Sequence, residues 1–460
     1  MERWKCREAC GVFGVSITDN EGAGLTYNAL LALQHRGQES AGIAVLVGRS
    51  IRCIREQGLV SEVFNGETLE KLPPSAMALG HVQYSTIGAD SKENAQPMVV
   101  EYLRGRIAVA YNGQLVNGDA IKRDLEKKGC DFTVNTDAQI IANLIATEAL
   151  ECEDIEDAVA KAAAQLRGAF SLIVLSSQGK LIALRDGWGF KPLCVGKGEL
   201  GLAMASESCA LDSAGFELIR DIKPGEMLII DQEQHMDSRQ ILKAERQGLC
   251  IFEFVYFARP DSVIDELSVY QARYMAGKIL ADEHPIKADI VCGVPDSGLE
   301  AAQGYSARSR IPFVSGFLKN RYIGRSFIYP SQKQREAAVR VKLNPLKANI
   351  QGKKIILVDD SIVRGTTSEK IIKALKGAGA AEVHLRIASP PFKHTCHFGT
   401  DVDDEQSLVA NRISQEELRL QIGADSLGHI SLDGLKEACG SCALPFCVGC
   451  FSGDYPLRLS

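Results

Sequence analysis

The chain has 460 residues, of which 45% are hydrophobic and 24% are charged, and its net charge is −6. This length predicts two domains, and no apolar run approaches the roughly 18 residues of a membrane span. The charge balance lacks the basic footprint of a nucleic-acid binder, so we expect contact with neither membranes nor nucleic acids. Residues 1–9 lack the apolar stretch of a secretory signal, which predicts a cytoplasmic protein whose fourteen cysteines form no disulfide framework.

The first half of the chain alternates short strands with amphipathic helices. Residues 106–113, RIAVAYNG, predict a strand that ends in a turn at Asn112-Gly113, and Thr136 predicts the start of a helix. Three later strands lie too close together in sequence for parallel crossovers, which favours antiparallel pairing. They span residues 170–175, 180–186 and 226–231. We therefore expect an α+β fold in this half.

After about residue 245 the pattern changes to apolar strands, each followed by a polar turn. The segments ADIVCGV, KKIILV and AEVHLRIAS predict three strands, and helical patterns follow the first two. Such alternation is typical of a parallel, doubly wound α/β sheet. The polar stretch 232–246 is the expected junction, which divides the chain into domains 10–245 and 246–460.

Two adjacent carboxylates, Asp359 and Asp360, end the predicted strand KKIILV. A hydroxyl-rich helix start follows them, with Thr366 and Glu369 at the spacing of a capping box. Ligands of open α/β sheets bind at this edge, where backbone N–H groups and hydroxyls form a phosphate cradle. Paired acids beside such a cradle predict Mg²⁺ or ribose hydroxyls as ligands. The alternative is a solvated turn, because Asp-Asp-Ser is common turn chemistry.

Four cysteines in the tail segment CGSCALPFCVGC form two C-x-x-C pairs, which indicate a metal site. The gap of four residues between the pairs is short for a two-knuckle zinc site. A cluster that recruits distant cysteines is therefore favoured, with zinc at the tail pairs as the alternative. The tail cysteines are Cys439, Cys442, Cys447 and Cys450.

Cys10 opens the apolar run CGVFG directly after residues 1–9. A thiol nucleophile needs a base, and loss of residues 1–9 as a propeptide would provide the α-amino group of Cys10, with a pKa near 8. The alternative is an incidental cysteine that leads into a first strand.

Five segments of the first half resemble the class II glutamine amidotransferases in their order and spacing. They are CGVFGV, LQHRGQESAGIA, GHVQYSTIG, YNGQLVNG and NTDAQ. The resemblance implies the sandwich fold of the N-terminal-nucleophile hydrolases. It also implies site roles: Cys10 as the nucleophile, Asn112 and Gly113 as oxyanion donors, and Arg36, Gln83, Thr86 and Asp137 as glutamine-binding residues.

Further segments resemble the type I phosphoribosyltransferases and the iron–sulfur branch of the glutamine phosphoribosylpyrophosphate amidotransferases. VDDSIVRGTTS and VPDSG carry the first resemblance, and CIFEFVYFARPDS, SPPFKHTCHFGTD and CVGCFSGDYP carry the second. The implied phosphoribosylpyrophosphate-binding residues are Asp359, Asp360, Ser361, Arg364, Gly365, Thr366, Thr367 and Ser368. Ser297, Asp359 and Asp360 would approach Mg²⁺. A [4Fe-4S] cluster would be bound by Cys250, Cys396, Cys447 and Cys450.

The basic segment 318–343 lies between the two phosphoribosyltransferase-like turns. On composition it is either a solvated surface or a lid that closes over pyrophosphate. Its position favours the lid, with Lys319, Arg321 and Arg325 as the basic residues concerned.

Together these segments imply an enzyme in which ammonia from glutamine displaces pyrophosphate from phosphoribosylpyrophosphate. The product would be 5-phosphoribosylamine, formed in the first committed step of de novo purine synthesis. The resemblance also implies a homotetramer that purine nucleotides inhibit. One departure matters: the family has Arg where this chain has Gln83, so a bidentate contact to the glutamine carboxylate is lost. The alternative is therefore an ammonia-only or non-catalytic homologue that binds phosphoribosylpyrophosphate.

Overall fold

The computed structural model describes residues 10–84, 92–320, 343–400 and 404–458. Its first half contains two antiparallel sheets. The strands of the seven-stranded sheet are, in spatial order, Glu217–Asp221, Cys194–Gly198, Gly201–Ala205, Gly11–Ile17, Met77–Gln83, Ser40–Val47 and Ser50–Gln57. Those of the six-stranded sheet are Met236–Gln240, Glu226–Asp231, Lys180–Arg185, Gly168–Ser176, Gly105–Leu115 and Met98–Tyr102.

The strand Gly11–Ile17 shows why the two sheets stack. Val12 packs into the apolar cluster between the sheets, whereas Phe13 packs into the cluster beneath the outer helices. Successive side chains of a strand point to opposite faces, so both faces of this strand are buried. At Gly14 a Cβ atom would lie 3.1 Å from Ile173 of the facing sheet, and the missing side chain lets the sheets approach.

Helices cover the outer face of each sheet, which produces four layers. The seven-stranded sheet carries Gly22–Ala32, Val60–Val63 and Ser208–Ser213. The six-stranded sheet carries Gly118–Lys127, Asp137–Glu148 and Ile155–Gln165. Two short helices, Gly66–Leu69 and Lys92–Asn94, lie in connections. The expected α+β sandwich is confirmed, and Thr136 caps its helix by accepting a hydrogen bond from the Gln139 amide.

The second half contains a parallel sheet with apolar clusters on both faces. Its strands, in spatial order, are Ile290–Gly293, Lys354–Asp359, Glu382–Ile387 and Ser426–His429. The three predicted strands are confirmed. The fourth was not predicted, because SLGH is short and Gly428 packs against the ring of His284, where a Cβ atom would be 2.7 Å from the ring.

Helices on the two faces make this sheet doubly wound, as expected. One face carries Val269–Glu283, Leu299–Ser309 and Leu432–Ala438, and the other carries Lys347–Ile350, Thr366–Gly377 and Gln415–Ile422. The remaining helices of the described residues are Glu253–Phe257, Glu405–Ser407, Val409–Arg412 and Gly449–Ser452. Three two-stranded ribbons pair Leu249–Cys250 with Phe446–Cys447, Val263–Ile264 with Leu267–Ser268, and Phe317–Lys319 with Leu343–Pro345. None of the helices in the described ranges is long and apolar enough to cross a membrane.

One sequence prediction about a strand end is wrong. The strand does not stop at Asn112-Gly113 but continues to Leu115, opposite Gly168 of its neighbour. Gly113 is required there because a Cβ atom would lie 2.0 Å from the Ala169 carbonyl oxygen. The polar junction also contains the strand Met236–Gln240, which is exposed along its whole length as the outermost strand of its sheet. An edge strand of this kind has no apolar pattern to reveal it.

Candidate active sites and cysteine cluster

Cys10 lies immediately before the central strand of the seven-stranded sheet. Its thiol donates a weak hydrogen bond to the carbonyl of Tyr84, with 4.0 Å between Sγ and the oxygen. Burial raises the pKa of the Cys10 thiol above its ordinary value, while a backbone hydrogen bond at Tyr84 opposes that shift. The positive charges of Lys191 and Arg36 also lower this pKa. Two cations therefore act on the thiol.

The guanidinium of Arg36 is fully buried between two carboxylates from different halves of the chain. Its Nε donates to Glu207 and its Nη2 donates to Glu253. His35 contacts the same Glu207 carboxylate, with 2.7 Å between Nε2 and Oε1. Burial alone would lower the pKa of Arg36, but Glu253 and Glu207 raise it above its ordinary value. Arg36 is thus a charged link between the two halves.

Asn112 and Gly113 lie on the strand of the second sheet that faces this region. The Asn112 side chain is buried, and its Nδ2 has no hydrogen-bond partner among the described residues. An unpaired buried donor is unfavourable unless a ligand accepts its hydrogen bond. Gly113 packs against the second half, because a Cβ atom on Gly399 would lie 3.2 Å from the Gly113 carbonyl carbon.

The Asp137 carboxylate sits at the first turn of its helix, close to the same strand. Its Oδ2 accepts hydrogen bonds from the Leu115 amide at 2.8 Å and from the Tyr111 hydroxyl at 3.2 Å. Burial raises the pKa of Asp137, and these two hydrogen bonds oppose that shift. His81 donates to the Tyr111 carbonyl at 3.0 Å, and burial lowers the pKa of His81 to about 4. The His81 ring is therefore uncharged at pH 7, and its hydrogen bond holds the Tyr111 backbone.

Gln83 is buried at the end of the strand that pairs with the one following Cys10. Its amide oxygen accepts a hydrogen bond from the Ser40 hydroxyl at 3.2 Å. The backbone at Gly37 packs against Gln83, since a Cβ atom on Gly37 would lie 2.6 Å from the Gln83 backbone. The structure therefore brings Gln83 to the Cys10 region. Thr86 lies outside the described residues.

A second group of polar side chains forms where two parallel strands of the second half end. Asp359 and Asp360 are buried after one strand, and Ser297 follows the other. The hydroxyls of Ser297 and Ser361 each donate to a different oxygen of Asp360. The amide of Asp360 donates to the Asp359 carboxylate at 3.0 Å. The predicted Ser297, Asp359 and Asp360 are thus brought together.

The helix Thr366–Gly377 begins directly after this group, as the phosphate-cradle hypothesis requires. Gly365 is its N-cap residue and has a positive φ of 81°, which favours glycine. The predicted Thr366–Glu369 capping box is wrong, because Thr366 is already helical and no side chain caps the helix. Thr366, Thr367 and Ser368 consequently lie in the first turn, after Arg364.

The basic segment leaves the sheet through a short ribbon. Lys319 pairs with Leu343 across it, and the Lys319 ammonium forms an ion pair with Asp296 in the turn that contains Ser297. The start of the predicted lid therefore touches the strand-end site. Arg321 and Arg325 lie outside the described residues.

Three separate segments bring four cysteines together near the boundary between the halves. Cys250 and Cys447 are direct partners in a parallel ribbon. The carbonyl of Cys450 accepts hydrogen bonds from the amides of Lys393 and His394, at 3.0 and 3.1 Å, on the segment that leads to Cys396. Burial raises the pKa of Tyr455, and the charges of Cys396, Cys450 and Cys447 raise it further. These four thiols therefore share one neighbourhood.

The two tail pairs have different surroundings. Burial raises the pKa of Cys442 to about 11, and the charged neighbours of this thiol are Asp265, Arg185 and Asp221. Zinc–sulfur bonds of about 2.3 Å would hold sulfurs roughly 3.8 Å apart. In the described ranges, the one group of three or more His, Cys, Asp or Glu ligand atoms within 4.8 Å of one another is Asp231, Glu233 and His235. Zinc on the four tail cysteines gains no support from this arrangement.

Family models match both halves of the chain. Residues 81–213 match a glutamine amidotransferase domain, and residues 265–389 match a phosphoribosyl transferase domain. Amidophosphoribosyltransferase from Methanocaldococcus jannaschii is 45% identical over 466 residues, which cover 98% of each chain. The chain belongs to the amidophosphoribosyltransferase family. It is thus an enzyme of purine biosynthesis with glutamine amidotransferase and pentosyltransferase domains.

Further relatives agree along nearly the whole length. Amidophosphoribosyltransferase from Archaeoglobus fulgidus is 46% identical, with 98% of each chain covered. A solved glutamine phosphoribosylpyrophosphate amidotransferase from B. subtilis, complexed with ADP and GMP, superposes with a TM-score of 0.90. It is 40% identical, and 98% of each chain is covered.

Sequence reasoning missed the residues that support the nucleophile region from a distance. Glu207, Glu253, His81 and Lys191 are buried beside or behind the predicted residues. Lys191 and Glu253 come from segments whose sequences are otherwise apolar or turn-like. The one sequence signal for each is a single charged residue among residues expected to be buried. Three-dimensional packing was needed to show what each contacts.

Proposed function

We propose that this chain makes 5-phosphoribosylamine through two sites whose residues are those described above. Glutamine is hydrolysed in the domain spanning 10–245, and the released ammonia displaces pyrophosphate in the domain spanning 246–460. The buried Nδ2 of Asn112 carries this assignment, because it has no hydrogen-bond partner among the described residues and is thus a preorganised donor for an oxyanion. The neighbouring Tyr111 interacts with the charge of Cys10.

The proposed nucleophile is the thiol of Cys10, and residues 1–9 are the proposed propeptide. Once they are removed, the α-amino group of Cys10 is the general base that takes the thiol proton. Arg36 and Lys191 favour the thiolate against the desolvation that opposes it. The thiolate attacks the glutamine side-chain amide, and the protonated amine then donates to the departing ammonia, which leaves a γ-glutamyl thioester on Cys10. Water, deprotonated by the same amine, hydrolyses this thioester to glutamate and frees the thiol.

The oxyanion and the substrate ammonium need opposite partners in this mechanism. The Asn112 side-chain amide and the Gly113 backbone amide donate to the tetrahedral oxyanion. Asp137 accepts from the α-ammonium of glutamine, and both of its protein hydrogen bonds fall on Oδ2, which leaves Oδ1 for that contact. Gln83 and Thr86 are the proposed contacts of the substrate carboxylate.

Phosphoribosylpyrophosphate is proposed to bind at the strand-end group and the helix start beyond it. Backbone N–H groups and the hydroxyls from Ser361 to Ser368 receive its 5-phosphate. The Ser297 and Ser361 hydroxyls lie on the Asp360 carboxylate, and these oxygen ligands suit Mg²⁺, which Ser297, Asp359 and Asp360 would hold. The chemistry that Mg²⁺ supplies is neutralisation of charge on the departing pyrophosphate. Lys319, Arg321 and Arg325 are the proposed lid residues that exclude water from the phosphoribosylpyrophosphate site.

The four clustered cysteines are proposed to hold a [4Fe-4S] centre. Their surroundings suit it, because Cys396 and Cys447 pack against the apolar group of Ala169, Phe190, Phe398 and Leu457. Burial raises the pKa of the Cys250 thiol to about 11, so metal binding would have to displace its proton. When bound, the cluster cross-links Cys250, Cys396 and the pair Cys447 and Cys450.

Regulation and assembly extend the proposal. The B. subtilis relative was solved with ADP and GMP. We infer that purine nucleotides bind and inhibit this chain, and that it assembles as a homotetramer. Inhibition by ADP and GMP in the glutamine assay, and the mass from sedimentation equilibrium, would test these two points.

One experiment tests the two-site function directly. Product formation is measured with glutamine and, separately, with ammonia, on protein whose N-terminus has been identified by mass spectrometry. We expect turnover with both nitrogen sources and an N-terminal Cys10. Turnover with ammonia alone, on protein that begins at Cys10, would establish the ammonia-only alternative and remove the glutaminase proposal.

A further inference from the structure

Lys191 is a buried cation that the sequence did not single out. It ends the turn RDGWGFK, in which the Asp186 carboxylate accepts hydrogen bonds from the amides of Trp188 at 2.9 Å and Gly189 at 2.7 Å. The Lys191 side chain is only 1% exposed. Its Nζ has no hydrogen-bond partner within the part of the chain that the structure describes. The rigid turn thus places an unpaired ammonium group inside the protein.

On one side, Lys191 adjoins the nucleophile region. A Cβ atom on Gly399 would lie 3.4 Å from Cε of Lys191 and 3.2 Å from the carbonyl carbon of Gly113. The charge of Lys191 also acts on the Cys10 thiol. Lys191 is therefore close to both the proposed nucleophile and the proposed oxyanion donor.

Arg36, the other cation near Cys10, is paired with carboxylates, whereas the Lys191 ammonium has no hydrogen-bond partner among the described residues. Arg36 lies between the carboxylates of Glu207 and Glu253, so its charge is offset by two negative charges. The near neighbour of the Lys191 ammonium is an uncharged ring, that of Phe257, 5.6 Å from its centroid. A cation–π contact compensates only part of the loss of hydration. Lys191 is thus a cation at Cys10 that no described carboxylate hydrogen-bonds.

On its other side, Lys191 faces the cysteine cluster. The amide of Cys250 donates to the carbonyl of Phe190, the residue before Lys191, at 3.1 Å. The Lys191 charge also acts on Cys250 and Cys447. A tetrathiolate iron–sulfur centre carries net negative charge, and nearby positive charge stabilises its reduced form. The negative charge of such a centre would stabilise the buried Lys191 ammonium.

We propose that Lys191 is a shared cation of the Cys10 site and of the four-cysteine centre. This inference rests on the proposed function, because it requires a cluster at those cysteines. Lys191 stabilises thiolate at the nucleophile and offsets the charge of the cluster. One side chain therefore links the electrostatics of the glutaminase to the metal centre.

The test compares Lys191→Met, which removes the charge, with Lys191→Arg, which keeps it. Two quantities are measured on iron-loaded protein: the rate at which iodoacetamide alkylates Cys10 at pH 7, followed by peptide mass spectrometry, and the reduction potential, followed by visible absorbance. We expect Lys191→Met to slow alkylation about tenfold and to make the potential more negative. Lys191→Arg should resemble the wild type in both. Lys122→Met is the matched control, since Lys122 also lies over a ring, that of Phe132, at 5.3 Å.

The outcomes separate this inference from the proposed function. If the wild type contains iron but Lys191→Met changes neither alkylation nor potential, Lys191 is not a shared cation and the centre stands. A wild type that binds no iron overturns the proposed centre and the inference together. Ammonia-dependent synthesis reports folding of each variant, and Lys191→Gln, which is uncharged but polar, decides the matter if the methionine variant does not fold.

Discussion

The two proposed sites are built in opposite ways. The nucleophile region is assembled from side chains far apart in sequence, such as Cys10, Arg36 and Asp137, and most are fixed by buried hydrogen bonds. The phosphoribosyl site is built largely from one contiguous run, Asp359 to Ser368, where a strand ends and a helix begins. The residues of the first site come together only when the two-sheet sandwich has folded. The second is nearly complete within one β-turn-α unit.

Replacement of Cys10 by Ala should have the largest effect, because it should inactivate the first site and leave the second unchanged. We expect glutamine-dependent synthesis to fall by on the order of 10³-fold or more, because no other group replaces the nucleophile. Ammonia-dependent synthesis should be unchanged, since the second site does not use this thiol. Steady-state assays with each nitrogen source measure both, with Cys130→Ala as the matched cysteine control. Loss of both activities would contradict two separable sites.

The double replacement Asp359→Asn and Asp360→Asn should produce the opposite pattern. Synthesis with either nitrogen source should fall about 10²-fold or more, because the oxygen ligands lose their charge. Glutamine hydrolysis alone, measured as glutamate release, should persist. Asp289→Asn is the control, because Asp289 lies at the other end of the same sheet, where it accepts from the Lys354 amide at 2.8 Å. Equal loss of glutaminase in the double variant would show that the sites are not independent.

Asn112→Ala tests whether the unpaired amide is an oxyanion donor. Loss of one such donor typically lowers kcat by about 10²- to 10³-fold with little change in KM. We expect that pattern for glutamine and none for ammonia. Asn117→Ala is the control, because the Asn117 amide already donates to the Gln165 carbonyl at 2.9 Å. A rise in KM without a fall in kcat would assign Asn112 to substrate binding instead.

The contrast between the sites explains what could be predicted from sequence. The second fold and its twin acids follow from local patterns, so three of its four parallel strands were predicted. The predicted capping role of Thr366 is wrong, because Gly365 takes the N-cap position. In the first half, motif order indicated Cys10, Asn112 and Asp137. It could not show that Arg36 links the two halves through Glu253, because no local pattern encodes a contact across 217 residues.

Gln83→Arg tests how the first site binds the substrate carboxylate, because it places a cation there. A charged bidentate contact to the substrate carboxylate contributes about 1 to 3 kcal/mol more than a neutral amide. The KM for glutamine should therefore fall about 5- to 150-fold while the KM for ammonia is unchanged. Gln57→Arg is the control, because Gln57 faces the same Ser40 from the opposite neighbouring strand. An unchanged or higher glutamine KM would mean that another group already binds the carboxylate.

The smallest expected effect concerns stability, and it involves one buried histidine from each half, His81 and His429. Burial lowers the pKa of His81 and of His429 to about 4, below the ordinary value of 6.5. The unfolded chain therefore binds protons more readily between these values, so stability is full above pH 6.5 and falls as the pH decreases toward 4. Down to pH 5, each histidine should contribute on the order of 2 kcal/mol to this loss.

Urea unfolding at pH 7.5 and pH 5 measures that loss in each half. His81→Gln retains a donor at the position of Nε2 for the Tyr111 carbonyl, and His429→Asn retains one at the position of Nδ1 for the Ser389 carbonyl. Because neither replacement titrates, each should reduce the difference between the two pH values. If His81→Gln alone reduces it, acid sensitivity belongs to the sandwich that builds the nucleophile region. If both do, the two halves share this weakness although their sites are built differently.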